Sequence, residues 1–151
     1  MIPPPLIEIP KGSLTDFHRV APRLYVGAWP GDGPEMRHQA ERMGFARVIR
    51  CAYEFPNEYP LNDCRLTPEL IRMFEKASDD VADGLRKGQR TLVTCHKGIN
   101  RSALVAGLAM VKAYRFTGRQ ALMTIRAFRK VPESDKYALW NVSFATYLVN
   151  R

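Results

Sequence analysis

Cysteine is scarce: three residues, Cys51, Cys64 and Cys95, in a chain of 151. An odd and low count leaves no disulfide framework to build, so a reducing compartment, the cytoplasm, is expected. Long apolar runs are missing as well. The longest, Ala103 to Val111, is far shorter than the ~20 residues that cross a bilayer, which argues against a transmembrane helix. There is no internal repeat and no low-complexity tract, which excludes solenoid and propeller arrays. The opening, MIPPPLIEIPKG, lacks the basic start and apolar body of a secretory signal and reads as a proline-rich, extended lead-in over residues 1–12. Acidic charge is the last shortage. Fifteen Asp and Glu face 23 Lys and Arg, a formal net charge of +8. That excess fits either a solvated basic surface or a preference for anionic partners: phosphorylated groups, nucleic acid or acidic lipid.

What is present is typical of a soluble globular domain, with 46% hydrophobic and 25% charged residues. The length suits one domain, 13–151, and is too short for two ordinary ones. Strand-like and helix-like stretches alternate along it. RLYVG (23–27) and ARVIRC (46–51) read as strands. Between them Asp32, Gly33 and Pro34 open a helix with Met36, Ala40 and Met43 at helical spacing, and Gly44 suits its stop. Thr67 and Pro68 open a longer helix whose apolar stripe is Leu70, Phe74, Ala77, Val81 and Leu85, with Gly88 at its end. Thr117 and Gln120 fit a capping box for another, with Leu122, Ile125 and Phe128 facing inward. A last helix is expected over 135–148. This alternation predicts an α/β fold: a central, mainly parallel sheet of about four to five strands, flanked by helices.

The stretch TLVTCHKGINRSALVAG (91–107) carries the chemistry. A strand ends at Cys95, and a helix apolar on nearly every side begins at Arg101. Ligands of parallel sheets bind at the carboxyl ends of strands. A loop running into a helix N-terminus aims several backbone N–H groups into one hollow, and the helix dipole adds positive potential there. Gly98 lets the loop take a conformation that a Cβ would oppose. Arg101 can offer a planar fork to two phosphate oxygens. His96, Lys97, Gly98, Ile99 and Asn100 complete the cradle. The same amides, dipole and guanidinium favour a thiolate on Cys95, so the phosphate cradle would also arm a nucleophile. Cys-x5-Arg alone arises easily by chance; with Gly at the third place and Ser102 after the arginine it is far more specific.

CHKGINRS (95–102) resembles the C-x5-R-[ST] signature of the cysteine-based protein tyrosine phosphatases. The resemblance runs from about Val20 to the C-terminus. APRLYVGAW, GFARVIRCA, DCRLTPELIRMFEKASDDVADGLRKGQRTLVTC and RSALVAGLAM look like segments of the small atypical dual-specificity members. It implies a phosphocysteine intermediate and neither metal nor other cofactor. Cys95 would be the nucleophile, Arg101 the grip on the phosphoryl oxygens, and Ser102 a hydrogen-bond partner of the thiolate. The family places an aspartic acid about thirty residues before the nucleophile. Asp63, 32 residues before Cys95 and ahead of the long helix, fits as general acid and base. Glu58 and the Asp79–Asp80 pair are weaker candidates.

Departures from the pattern bear on function. Thr94 stands where the family carries a histidine, and Lys97 adds charge at the rim. No segment resembles the tyrosine-recognition motif of the large tyrosine phosphatases, which implies a shallow pocket open to phosphoserine, phosphothreonine and phosphotyrosine. The expected substrate is a phosphoprotein. An RNA 5'-triphosphatase, whose relatives share the Gly-x-Asn-Arg of 98–101, and a phosphoinositide or phosphoglycan phosphatase are the enzyme alternatives. A phosphate-binding module without turnover is the non-enzyme alternative. Finally, lipid phosphatases of the superfamily carry a second cysteine at a strand end matching Cys51, which makes it a redox partner for Cys95, with Cys64 as competitor.

Overall fold

The computed structural model describes residues 14–29, 34–54, 57–131 and 136–151. The elements run β1 (Phe17–Ala21), β2 (Leu24–Ala28), α1 (Pro34–Arg42), β3 (Arg47–Arg50), α2 (Pro68–Arg86), β4 (Thr91–Cys95), α3 (Arg101–Tyr114), α4 (Gly118–Phe128) and α5 (Val142–Val149). The strands form a four-stranded sheet in the order β1-β2-β4-β3. β4 is central and parallel to both β2 and β3, while β1 adds an antiparallel edge. The α/β fold with a mainly parallel sheet is therefore as the sequence implies.

Register explains the two layers. Tyr25, Leu92 and Val48 lie side by side across β2, β4 and β3, so they share one face. That face packs with Leu14, Trp29, Phe45 and with Met36 and Ala40 of α1. Val26, Val93 and Ile49 share the other, where they join a larger core with Phe74, Leu104, Leu108, Ile125 and Phe144 of α2 to α5. α3 runs through the middle of this core. Every residue from Arg101 to Met110 is buried, which is why the segment is apolar all round.

Helix boundaries follow local chemistry. Thr67 caps α2 by accepting a hydrogen bond from Leu70 N–H at 3.2 Å. Thr117 and Gln120 form a reciprocal capping box on α4. Four expectations differ. β1 was not foreseen: FHRVA is short, and its centre is polar. Asp32 and Gly33 lie outside the described residues, and α1 ends at Arg42, leaving Met43 half exposed rather than on the buried stripe. Phe128 is 58% exposed because α4 ends there, at a surface groove beside β1. The last helix begins at Val142, not at 135, because Leu139 is in the left-handed region (φ +60°) and Asn141 caps the new start by accepting from Phe144 N–H. Asp135 itself lies outside the described residues.

Candidate active site

β4 delivers Cys95 to the carboxyl edge of the sheet, and α3 starts six residues later. The intervening loop is packed too closely for a side chain at Gly98. That residue has φ +67°, and a Cβ there would come within 2.5 Å of the Gly27 carbonyl and 2.6 Å of Arg129 Nη2. Cys95 is buried, and its Sγ lies 3.2 Å from Ser102 Oγ on the first turn of α3.

A cavity of about 610 Å³ opens over the thiol. Cys95, His96, Lys97, Ile99, Asn100, Arg101 and Asp63 all line it, so one hollow brings together the proposed nucleophile, the arginine and the aspartate that the sequence singled out. Asp63 reaches it from the segment between β3 and α2. Within that segment an isolated parallel bridge joins Ala52 to Leu61. Two asparagines hold the Asp63 carboxylate. Asn100 Nδ2 donates to one oxygen at 3.0 Å, and Asn141 Nδ2 donates to the other at 2.8 Å. Asn141 backbone N–H in turn donates to Asn100 Oδ1 at 3.0 Å, closing a ring of three residues.

Arg101 departs from the simple picture of a guanidinium aimed at the hollow. Its two terminal nitrogens donate to the Glu54 carboxylate, and one also donates to the Leu61 carbonyl at 3.1 Å. Its Nε is buried with no partner among the described residues. Burial opposes the charge on Arg101, but the hydrogen bond to Glu54 and the proximity of Cys95 and Asp63 outweigh it and raise the guanidinium's pKa further. Conversely, Arg101 holds the Glu54 carboxyl below its usual range.

Neither Glu54 nor Arg129 was singled out from sequence. Arg129 is fully buried at the end of α4. Its Nε donates to the Gly98 carbonyl at 2.9 Å and its Nη2 to the Lys97 carbonyl at 3.1 Å. The same guanidinium pairs with both Asp16 oxygens and sits 2.9 Å from His18 Nδ1. By collecting the Lys97 and Gly98 carbonyls, Arg129 fixes the orientation of two peptide units of the loop. Burial, then the charges of Arg129 and Lys130, lower the His18 pKa, against an opposing pull from Asp16.

Other candidates fall elsewhere. Glu58 pairs with Arg50 and Arg37 and does not line the cavity. Asp79 pairs with Lys112, and Asp80 with Arg47, along α2. The Thr94 hydroxyl is buried without a hydrogen-bond partner among the described residues, so it ties nothing to the loop as a histidine could. Cys51 is fully buried, and its N–H donates to the Thr94 carbonyl at 2.7 Å. Because Arg50 pairs with Thr94 in the parallel register, Cys51 and Cys95 come next on neighbouring strands. Burial, with Cys95 nearby, pushes the Cys51 thiol well up. Cys64 is exposed beside Asp63.

No protein-family model matches the chain. Among curated proteins it is similar to bovine dual specificity protein phosphatase 14, with 26% identity over 132 residues covering 82% of this chain. It is also similar to the rat protein phosphatase Slingshot homolog 3, with 25% identity over 122 residues covering 75% of this chain. The matched regions are 65% of the bovine protein and 18% of the rat one. The crystal structure of human DUSP28 superposes with a TM-score of 0.69 at 21% identity, covering 91% of this chain and 93% of that one. The chain is thus similar in sequence to dual-specificity phosphatases, and it shares the fold of the DUSP28 structure. No helix among the described residues is long and apolar enough to cross a membrane.

Proposed function

We propose that the chain is a cysteine-dependent phosphomonoester hydrolase acting on phosphotyrosine and on phosphoserine or phosphothreonine in proteins, with 13–151 as its catalytic unit. The observation that carries this reading is the convergence of Cys95, Arg101 and Asp63 on one cavity, with Ser102 Oγ 3.2 Å from the Cys95 sulfur.

In this reading the loop amides and Arg101 bind the phosphoryl oxygens, and Cys95 attacks phosphorus as a thiolate. The sulfur–phosphorus bond forms as the oxygen–phosphorus bond to the leaving group breaks, and Asp63 gives that oxygen its proton. Asp63, now a carboxylate, takes a proton from water. The resulting nucleophile breaks the phosphocysteine, releasing inorganic phosphate, while Ser102 stabilises the departing thiolate by hydrogen bonding. The ring through Asn100 and Asn141 supports this role for Asp63, since it holds the carboxylate at the cavity. A reducing compartment such as the cytoplasm suits a mechanism that depends on a free thiolate.

Cys51 is the redox partner in this reading, protecting Cys95 by forming a disulfide. Its place on the neighbouring strand supports it over the exposed Cys64.

The test is hydrolysis of phosphotyrosine and phosphothreonine peptides by the intact chain and by Cys95→Ser. Turnover by the intact chain and none by the serine variant is expected. Equal turnover by both would overturn the assignment.

A further inference from the structure

The phosphate cradle accounts for part of the cavity lining. Ile99, Val131 and Trp140 also line the cavity, forming an apolar surface that phosphate binding does not require. Trp140 is 39% exposed, unusual for the largest apolar side chain, and the Lys136 ammonium lies 4.7 Å from its ring centroid.

Trp140 is held in place from both sides. Before it, Leu139 N–H donates to the Ile99 carbonyl at 2.9 Å, and Arg126 donates to the carbonyls of Ala138 and Leu139 at 3.2 and 3.0 Å. After it, Asn141 N–H is bonded to Asn100 Oδ1. Both neighbours of Trp140 are thus fastened to the Cys95–Arg101 loop. Leu139 adopts φ +60°, a conformation that a leucine rarely takes, while fully buried. A strained residue persists only where its surroundings over-determine it, and such residues gather at ligand sites. Here the strain turns the next side chain, the indole, towards the cavity that the loop surrounds.

We propose that Trp140 selects for the aromatic ring of phosphotyrosine over the short aliphatic stem of phosphoserine or phosphothreonine. This deepens the phosphatase reading and rests on it. With phosphorus seated over Cys95, a phenyl ring spans the depth of the cavity and meets the indole in an offset or edge-on contact. A serine or threonine stem is too short to use the same wall, and it gains only the phosphate contacts.

The experiment measures binding and turnover separately. Two peptides of one sequence, carrying phosphotyrosine or phosphothreonine, are titrated against Cys95→Ser alone and combined with Trp140→Ala or Trp140→Phe. Loss of the indole should lower phosphotyrosine affinity about tenfold, leave phosphothreonine affinity nearly unchanged, and be largely rescued by phenylalanine. In the Cys95 protein the same loss should appear in KM for the phosphotyrosine peptide. An equal loss for both peptides would overturn the proposal, because Trp140 would then act through Asn141 and Asp63. So would no change for either. Tighter binding of triphosphate-ended RNA than of phosphotyrosine peptide, lost with Trp140→Ala, would overturn it in favour of a nucleobase on the indole. Absence of turnover by the intact chain would defeat the phosphatase reading alone, since the affinity ratio would still decide the role of Trp140.

Discussion

Arg101 and Glu54 form a two-pronged ion pair at the floor of the cavity, with the guanidinium almost wholly buried and the carboxylate half exposed. The pair leaves the buried Nε of Arg101 without a partner among the described residues. Glu54 acts here as a positioning residue: it fixes the plane of the guanidinium before substrate arrives. Glu54→Gln should therefore lower kcat/KM by roughly tenfold, with weaker vanadate inhibition. Because Arg101 holds the Glu54 carboxyl below its usual range, the pair is complete above the ordinary carboxylate pKa and is lost only as pH falls through the lowered value. Unchanged kinetics in Glu54→Gln would leave the pair without a catalytic part.

Arg129 should be the most sensitive structural position. Its removal leaves Asp16 and two loop carbonyls without their donor, so Arg129→Met should destabilise the fold by about 3–5 kcal/mol in urea unfolding. His18 adds a pH dependence. Its folded pKa lies below the ordinary 6.5, so its contribution to stability is present above that value and is lost as pH falls below it. Melting temperature should fall as pH drops below the ordinary histidine value of about 6.5, and His18→Gln should flatten that fall. A slope identical in both proteins would place the titrating group elsewhere.

Asp63 is tested through the leaving group. A general acid helps most when the departing oxyanion is strongly basic. Asp63→Ala should slow phosphothreonine peptides severely and an activated aryl phosphate much less. Asp63→Asn should also perturb the loop, because an amide NH2 would face one of the two asparagine donors. Equal slowing of both substrates by Asp63→Ala would make Asp63 structural.

In the proposed reading, Cys51 would offer Cys95 a route out of oxidative damage. Peroxide converts the Cys95 thiolate to a sulfenic acid, and the Cys51 thiol then displaces water from it to form a disulfide. Since burial keeps Cys51 as the thiol, this second step should be slow at neutral pH and faster in mild base. Peptide mapping after mild peroxide should find a Cys51–Cys95 link that dithiothreitol reverses. Only irreversible oxidation of Cys95, or a link to Cys64, would count against it.

Legibility in the sequence tracked the range of the interactions. α3 and the capping box of Thr117 with Gln120 could be read because their determinants lie within a few residues. The Cys95–Ser102 loop could be read because one strand-to-helix turn contains it. Arg129 could not. In a basic chain it looks like a surface residue, and its partner Asp16 is 113 positions away. Asn141 stands 78 positions from Asp63, and Glu54 stands 47 from Arg101. An acidic residue beside a phosphate grip also runs against simple charge matching. The antiparallel β1 escaped because it is a short edge strand with His18 and Arg19 at its centre, and its pairing with β2 sets its place more than its own pattern does.

The central claim is that Cys95 becomes phosphorylated during turnover. Rapid acid quench of the intact chain with a phosphotyrosine peptide, followed by mass mapping, tests it most directly. The account predicts one phosphoryl group on the peptide containing Cys95, accumulating further in Ser102→Ala because departure of the thiolate is then slowed, and absent in Cys95→Ser. Turnover with no phosphoryl group on Cys95 in either the intact chain or Ser102→Ala, or with label on another residue, would contradict it.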